Sequence, residues 1–166
     1  MLFLEVSHAM ALFAPETDES AVRVNRLDSS EILGCCIPRP FTLDDHEWLT
    51  AEHYYQAMKY PDRPRFDAIR QAPDAEQARK LGRGWLKRPR SDWKSVRSII
   101  MTRAIYTQAR THADFAEALL ATKDQGILET SQYDYFWSIG RDQRGQNQYG
   151  KVLQNVRAKL RSEAES

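Results

Sequence analysis

One stretch of the chain gathers side chains suited to acid–base and nucleophilic chemistry. In Trp48-Leu-Thr-Ala-Glu-His-Tyr-Tyr-Gln-Ala-Met-Lys59, a carboxylate, a phenol, an amide and an amine stand at Glu52, Tyr55, Gln56 and Lys59. Each residue of a helix advances about 100°, so Glu52 and Lys59 point within roughly 20° of each other and lie about 10 Å apart along the axis. Tyr55 and Gln56 fall between them, and Tyr54 and His53 border the strip. The strip reads as one wall of a small-molecule site. Part of it has a simpler origin. Thr50 is a good N-cap, an acid in the first turn suits the helix dipole, and Pro61 ends the helix near Tyr60, leaving Lys59 in the last turn. Capping accounts for each charge but not for the aromatic and amide residues on the same side.

The elements that must position this strip are mostly helical. Val22 and Val24 alternate as in a short strand, and Ile37-Pro-Arg-Pro-Phe41 is extended because each residue before a proline is pushed from the α region. Asp44-Asp45-His46 is a turn, followed by the helix over 50–60. Pro64 to Arg70 forms a short helix. Asp74 caps another that runs to Leu81, with Gln77 placed for a capping box and Gly82 at the stop. A long helix starts at Ser91 with Trp93, Val96, Ile100 and Ala104 on one face, and Phe115, Leu119 and Leu120 mark the next. Ile127 to Thr130 fits either strand or turn. A last amphipathic helix covers Gly150 to Arg161. The expected fold is mainly α, a single compact multihelical domain with at most a small β element near the N-terminus.

Composition narrows the function classes. The 166 residues are 42% hydrophobic and 28% charged with a net charge of +1, which is ordinary for a soluble domain and gives no global pull toward nucleic acid or membrane. No apolar run spans a bilayer, and Met1 to Ala14 lacks the basic start of a signal peptide. Cys35 and Cys36 are adjacent, the four histidines are scattered, and no zinc-ligand spacing or Gly-rich phosphate loop occurs. A reducing, cytoplasmic setting without metal or cofactor is expected.

The motifs as a set resemble the YbiA-like, or NADAR, family. The match runs from Pro38-x-Pro-Phe41 through Trp48-x-Thr50-x-Glu-His-Tyr-Tyr-Gln-Ala-x-Lys59, Leu81-Gly-Arg83 and Arg90-x-Asp-Trp93. It continues through Met101, Ser131 and Asp134-x-Phe-Trp137 to Gly140-x-Asp142-x-x-Gly145-x-Asn147-x-x-Gly150-x-x-Leu153-x-x-x-Arg157. It implies a domain over 24–161, a front segment 1–23 and a polar tail 162–166. It also implies N-glycosidase activity, on phosphoribosylamino-pyrimidine intermediates of riboflavin synthesis or on ADP-ribose attached to guanine. The chain departs from the family at Leu33-Gly34-Cys35-Cys36, where members carry a Phe-Ser-Asn-Phe-like stretch, and at Ser138, where Gly is common. A non-catalytic binding module of the same fold is the alternative these departures favour.

The chemistry fits the residues. Breaking a ribosyl C–N bond builds positive charge at the anomeric carbon, which a nearby carboxylate such as Glu52 stabilises. A lysine desolvated by Tyr54, Tyr55 and Tyr60 has a depressed pKa and attacks that carbon, and the resemblance implies this nucleophile role for Lys59. The resemblance also places Asp134 in the site as the third catalytic candidate, holding ribose hydroxyls or polarising a proton, and a carboxylate within that aromatic run needs a hydrogen-bond partner or a role. Trp137 and Trp93 are candidates to stack on the leaving base, although aromatic runs more often build cores. Trp48, Tyr55, Gln56, Arg83 and Asn147 complete the expected substrate-binding set. Arg79 to Arg97 carries eight Lys or Arg against one acid, Asp92, with Trp85 and Trp93 interleaved. It is by default a solvated face, and functionally a place for a substrate phosphate or a nucleic-acid backbone.

Overall fold

The computed structural model describes residues 20–84 and 86–166; most of the front segment 1–23, and Trp85, lie outside the described residues. Six helices and four three-residue strands are present among them: β1 (Val22–Val24), β2 (Phe41–Leu43), β3 (His46–Trp48), α1 (Ala51–Ala57), α2 (Pro64–Arg70), α3 (Ala75–Gly82), α4 (Trp93–Thr111), α5 (Ala113–Ala121), β4 (Ile127–Glu129) and α6 (Gln148–Ala164). The architecture is mainly helical, and the strands differ from expectation in placement. β1 pairs in parallel with β4, Val22 opposite Ile127 and Val24 opposite Glu129, so the β structure reaches into the C-terminal third. Parallel pairing needs a crossover, here supplied by everything from β2 to α5, and local patterning does not reveal such a partner.

The second sheet is a hairpin of β2 and β3. Its two-residue turn is Asp44-Asp45, both at positive φ (52° and 60°), which is the backbone twist that tight hairpins require. The hairpin delivers the chain to Thr50, whose hydroxyl accepts the His53 N–H at 3.2 Å and starts α1. α1 ends at Ala57 and Met58 caps it, earlier than expected. The Lys59 and Tyr60 N–H groups bond three residues back, to Gln56 and Ala57, so Lys59 sits on a tightened turn beyond the helix.

All seven residues of α1 are buried, including Glu52, His53 and Gln56. The helix packs against α2, α3 and α4, while α4 and α6 pair and α5 and β4 lie against α6. A helix enclosed on every side is normally apolar throughout. One that buries a carboxylate, an imidazole and an amide must satisfy each of them, because unpaired buried polar groups cost on the order of 1–3 kcal/mol. His53 does so locally, through Thr50 Oγ1 and the Ala72 carbonyl. Glu52 and Gln56 do so on the wall of a cavity.

Candidate active site

Four pieces of chain meet at a cavity of about 530 Å³, within the size range of small-ligand sites. α1 and its following turn bring Glu52, Tyr55, Gln56 and Lys59. The end of α3 brings Arg79 and Arg83. The stretch after β4 brings Ser131 to Trp137, and the residues after β1 bring Arg26 and Leu27. The β1–β4 pairing sets the last two pieces side by side. The buried Glu129 pins them: one oxygen accepts the Arg26 N–H at 3.0 Å, and the other accepts the Ser131 N–H at 3.2 Å.

The charged groups form a relay along the wall. Glu52, fully buried, accepts from Arg26 Nη1 at 3.1 Å, Gln56 Nε2 at 2.7 Å and Cys35 Sγ at 3.3 Å. Gln56 then accepts Lys59 Nζ at 2.6 Å. The amide thus bridges the carboxylate and the amine, its carbonyl to the cation and its NH₂ to the anion. Lys59 Nζ also lies 3.5 Å from the Gly82 carbonyl and over the rings of Tyr55 and Trp93, at 5.3 and 5.7 Å. Burial pulls the Lys59 ammonium down to about 8, and the positive charges of Arg83, Arg26 and Lys87 push the same way against Glu52. A drop from 10.5 to about 8 raises the share of neutral amine at pH 7 roughly 300-fold. Asp134 faces the same space. Its Oδ1 accepts the Phe136 and Trp137 N–H groups at 3.1 and 2.8 Å, and its Oδ2 lies 3.4 Å from Arg26 Nη2.

Glu52, Tyr55, Gln56, Lys59, Arg83, Asp134 and Trp137 therefore share one cavity. Trp137 is both core and wall: 4% exposed, with Nε1 donating to Tyr55 Oη at 3.2 Å. Three expected binding residues do not line it. Trp48 is turned into the core, edge-on to Tyr54 and Phe66, with its indole N–H on the Leu43 carbonyl. Trp93 backs Tyr55, behind the wall rather than on it. The Asn147 amide is spent on the backbone, accepting Glu129 N–H at 2.9 Å and donating to the Ile127 carbonyl at 2.8 Å. Tyr54 also turns away, with its hydroxyl on Asp44, while Tyr55 and Trp93 set their rings by the Lys59 ammonium and the buried Tyr60 donates to the same Gly82 carbonyl.

Sequence reasoning missed Arg26, Cys35 and the fit of Gly82. Val22-x-Val24-x-Arg26 continues the period of two that marks the inward face of β1, and that alternation was the available signal for Arg26. Gly82 appeared only as a helix stop. A Cβ there would lie 2.2 Å from Gln56 Oε1, so its lack of a side chain makes room for the bridging amide. Cys35 stands in the departing Leu33–Cys36 stretch, where burial pushes its thiol up and keeps it a neutral donor to Glu52. Among the described residues, no group of histidine, cysteine or carboxylate side chains gathers as a metal site, and no helix is long and apolar enough to cross a membrane.

Comparison with known proteins identifies the family. A profile of the NADAR domain matches residues 12–161. An N-glycosidase of Nostoc punctiforme is 38% identical over 128 residues, covering 75% of this chain and 82% of that protein. N-glycosidase YbiA of Escherichia coli K12 is 32% identical over 121 residues, covering 73% and 76%. A riboflavin biosynthesis protein of Vibrio vulnificus is 35% identical over 127 residues, but the chain spans only 35% of its length. The NMR structure of E. coli YbiA superposes with a TM-score of 0.78 at 28% identity, covering 87% of this chain and 88% of that one. The chain belongs to the NADAR domain family and is an N-glycosidase, a hydrolase of N-glycosyl bonds.

Proposed function

We propose that the chain hydrolyses the ribosyl C–N bond of a phosphorylated ribosylamino-pyrimidine, with Lys59 as nucleophile. The observation that carries this reading is the Glu52–Gln56–Lys59 relay on the wall of a cavity that Arg79 and Arg83 also line. The neutral Lys59 amine attacks the anomeric carbon, the bond to the exocyclic nitrogen of the pyrimidine breaks, and the ammonium proton passes to that leaving nitrogen. Opening of the ribose gives a Schiff base, which water hydrolyses to free sugar phosphate and the amine. Glu52 stabilises the positive charge that develops at the sugar. Asp134 holds a sugar hydroxyl. The guanidinium groups of Arg79 and Arg83 suit a phosphate, and the Vibrio vulnificus relative bears the name of a riboflavin biosynthesis protein.

One observation favours a second reading, removal of ADP-ribose from guanine in a nucleic acid. Tyr133 is 86% exposed yet lines the same cavity as Arg79 and Arg83 of the basic stretch, as a stacking platform beside a backbone track would be. The test incubates the protein and its Glu52→Gln variant with both substrate classes and measures released base and sugar. Release from the small molecule, little affected by salt and lost in Glu52→Gln, supports the first reading. Release only from the polymer, weakening steeply with ionic strength, supports the second. No release from either overturns both.

A further inference from the structure

The cavity contains a cation that the glycosidase steps above leave unused. Arg26 is 5% exposed, and its two terminal nitrogens reach different carboxylates: Nη1 to Glu52 Oε2 at 3.1 Å and Nη2 to Asp134 Oδ2 at 3.4 Å. Those carboxylates come from α1 and from the segment after β4, parts of the chain that also meet through the Trp137 indole N–H on Tyr55 Oη but whose two acids are joined only through Arg26. We infer that Arg26 is the positioning residue of the site, a planar clamp that holds Glu52 and Asp134 in one fixed relation to the sugar. The inference rests on the N-glycosidase reading and adds a residue to its machinery.

Three further features support the clamp. First, the post is anchored independently of its load. The Arg26 N–H is held by Glu129 Oε1 at 3.0 Å, its carbonyl accepts the Cys35 N–H at 3.0 Å, and the guanidinium lies 5.6 Å from the Trp137 ring. Second, Arg26 Nε is buried and has no acceptor. Buried donors in native structures are nearly always paired, so an orientation that strands Nε while serving two carboxylates argues that the carboxylates set it. Third, the clamp defines what remains of Glu52. An ionised carboxylate has about four acceptor positions. Gln56 takes one on Oε1, while Arg26 and Cys35 take those on Oε2, so the remaining position on Oε1 is the place for a water or a sugar hydroxyl. Lysine cannot reproduce a two-pronged contact, because its ammonium is a single point donor.

A merely structural ion pair would lower stability and leave turnover per folded molecule intact. The clamp predicts otherwise. With a phosphorylated ribosylamino-pyrimidine as substrate, Arg26→Lys should lower kcat at least 100-fold while KM stays within about threefold. Arg26→Ala should regain at least tenfold of its lost activity in millimolar guanidinium chloride, with urea at the same concentration giving no recovery. Asp134→Asn, added to Arg26→Lys, should cost less than it does in the wild type. Wild-type turnover in folded Arg26→Lys, or equal response to guanidinium and urea, would overturn the clamp while leaving the glycosidase reading in place. If the wild type itself releases no base, that reading fails instead. Because Arg26 is buried, a measurement on the unaltered protein guards against a variant that does not fold. In protein labelled with ¹⁵N-arginine and ¹⁵N-tryptophan, the Arg26 guanidinium signals should shift when ribose 5-phosphate moves the Trp137 indole signal. A Trp137 shift with Arg26 unmoved also overturns the inference.

Discussion

Replacing Gly82 by alanine tests the relay without touching any group that does chemistry. The new Cβ would lie 2.2 Å from Gln56 Oε1 and 2.9 Å from its Cβ and Cδ, against an ordinary contact of 3.4 Å or more. The Gln56 side chain must therefore move by about 1 Å, since Cβ as well as the amide is in the way. Its bonds to Glu52 and Lys59, now 2.7 and 2.6 Å, then stretch beyond useful range. Each is a bond to a charged group worth about 1.5–3 kcal/mol, while alanine near a helix end returns less than about 1 kcal/mol. The expected net destabilisation is about 1–3 kcal/mol, with kcat/KM reduced about 100-fold by the misplaced amine. Losing the Gln56 acceptor removes a bond that favours the ammonium, so the acid limb of the kcat/KM profile should move below its wild-type position near pH 8. Urea denaturation at pH 7 and a pH–rate series check this. Unchanged stability together with an unchanged acid limb would refute the relay.

Other outcomes rest on the same geometry. Lys59→Met should be inactive, with stability at pH 7 within about 1 kcal/mol of wild type, because relief of the ammonium's burial penalty is offset by the buried Gln56 Oε1 left unpaired. The unfolded chain binds a proton that the folded one lacks between about pH 8 and 10.5, so wild-type stability should rise relative to Lys59→Met across that window; a difference between the two that stays constant from pH 7 to 10.5 would contradict this. Alanine at Arg79 or Arg83 should raise KM about tenfold with kcat unchanged, as expected for loss of uniform phosphate binding, and a fall in kcat alone would contradict it. Asn147→Ala should cost about 1–3 kcal/mol of stability through the unpaired Glu129 N–H and Ile127 carbonyl, with KM unmoved in steady-state assays.

Much of the wall was legible because one helix carries it. The Thr50 cap fixes where α1 starts, and the 3.6-residue period then aligns Glu52, Gln56 and the approach to Lys59. Asp134 was legible too, as a carboxylate among aromatics that needs a partner. Its partner was not, because the parallel pairing of β1 with β4 joins distant segments and only that pairing brings Arg26 to it. Trp48 shows the opposite limit. Its place beside the helix suggested a ligand contact, but the hairpin turns the ring to the core face, Phe41 opposite Trp48, and the cavity opens elsewhere. Asn147 was expected to bind substrate. Its φ of 50° and its two backbone bonds make it instead the joint between β4 and α6.

The direct test of the central claim is capture of the sugar on the enzyme. Turnover of the phosphorylated ribosylamino-pyrimidine in the presence of borohydride should reduce the Schiff base and leave a pentose phosphate on one peptide. Mass spectrometry should place it on Lys59, and Lys59→Arg should abolish it. Normal release of base with no adduct, or an adduct that persists without Lys59, would contradict the account and point to direct attack by water.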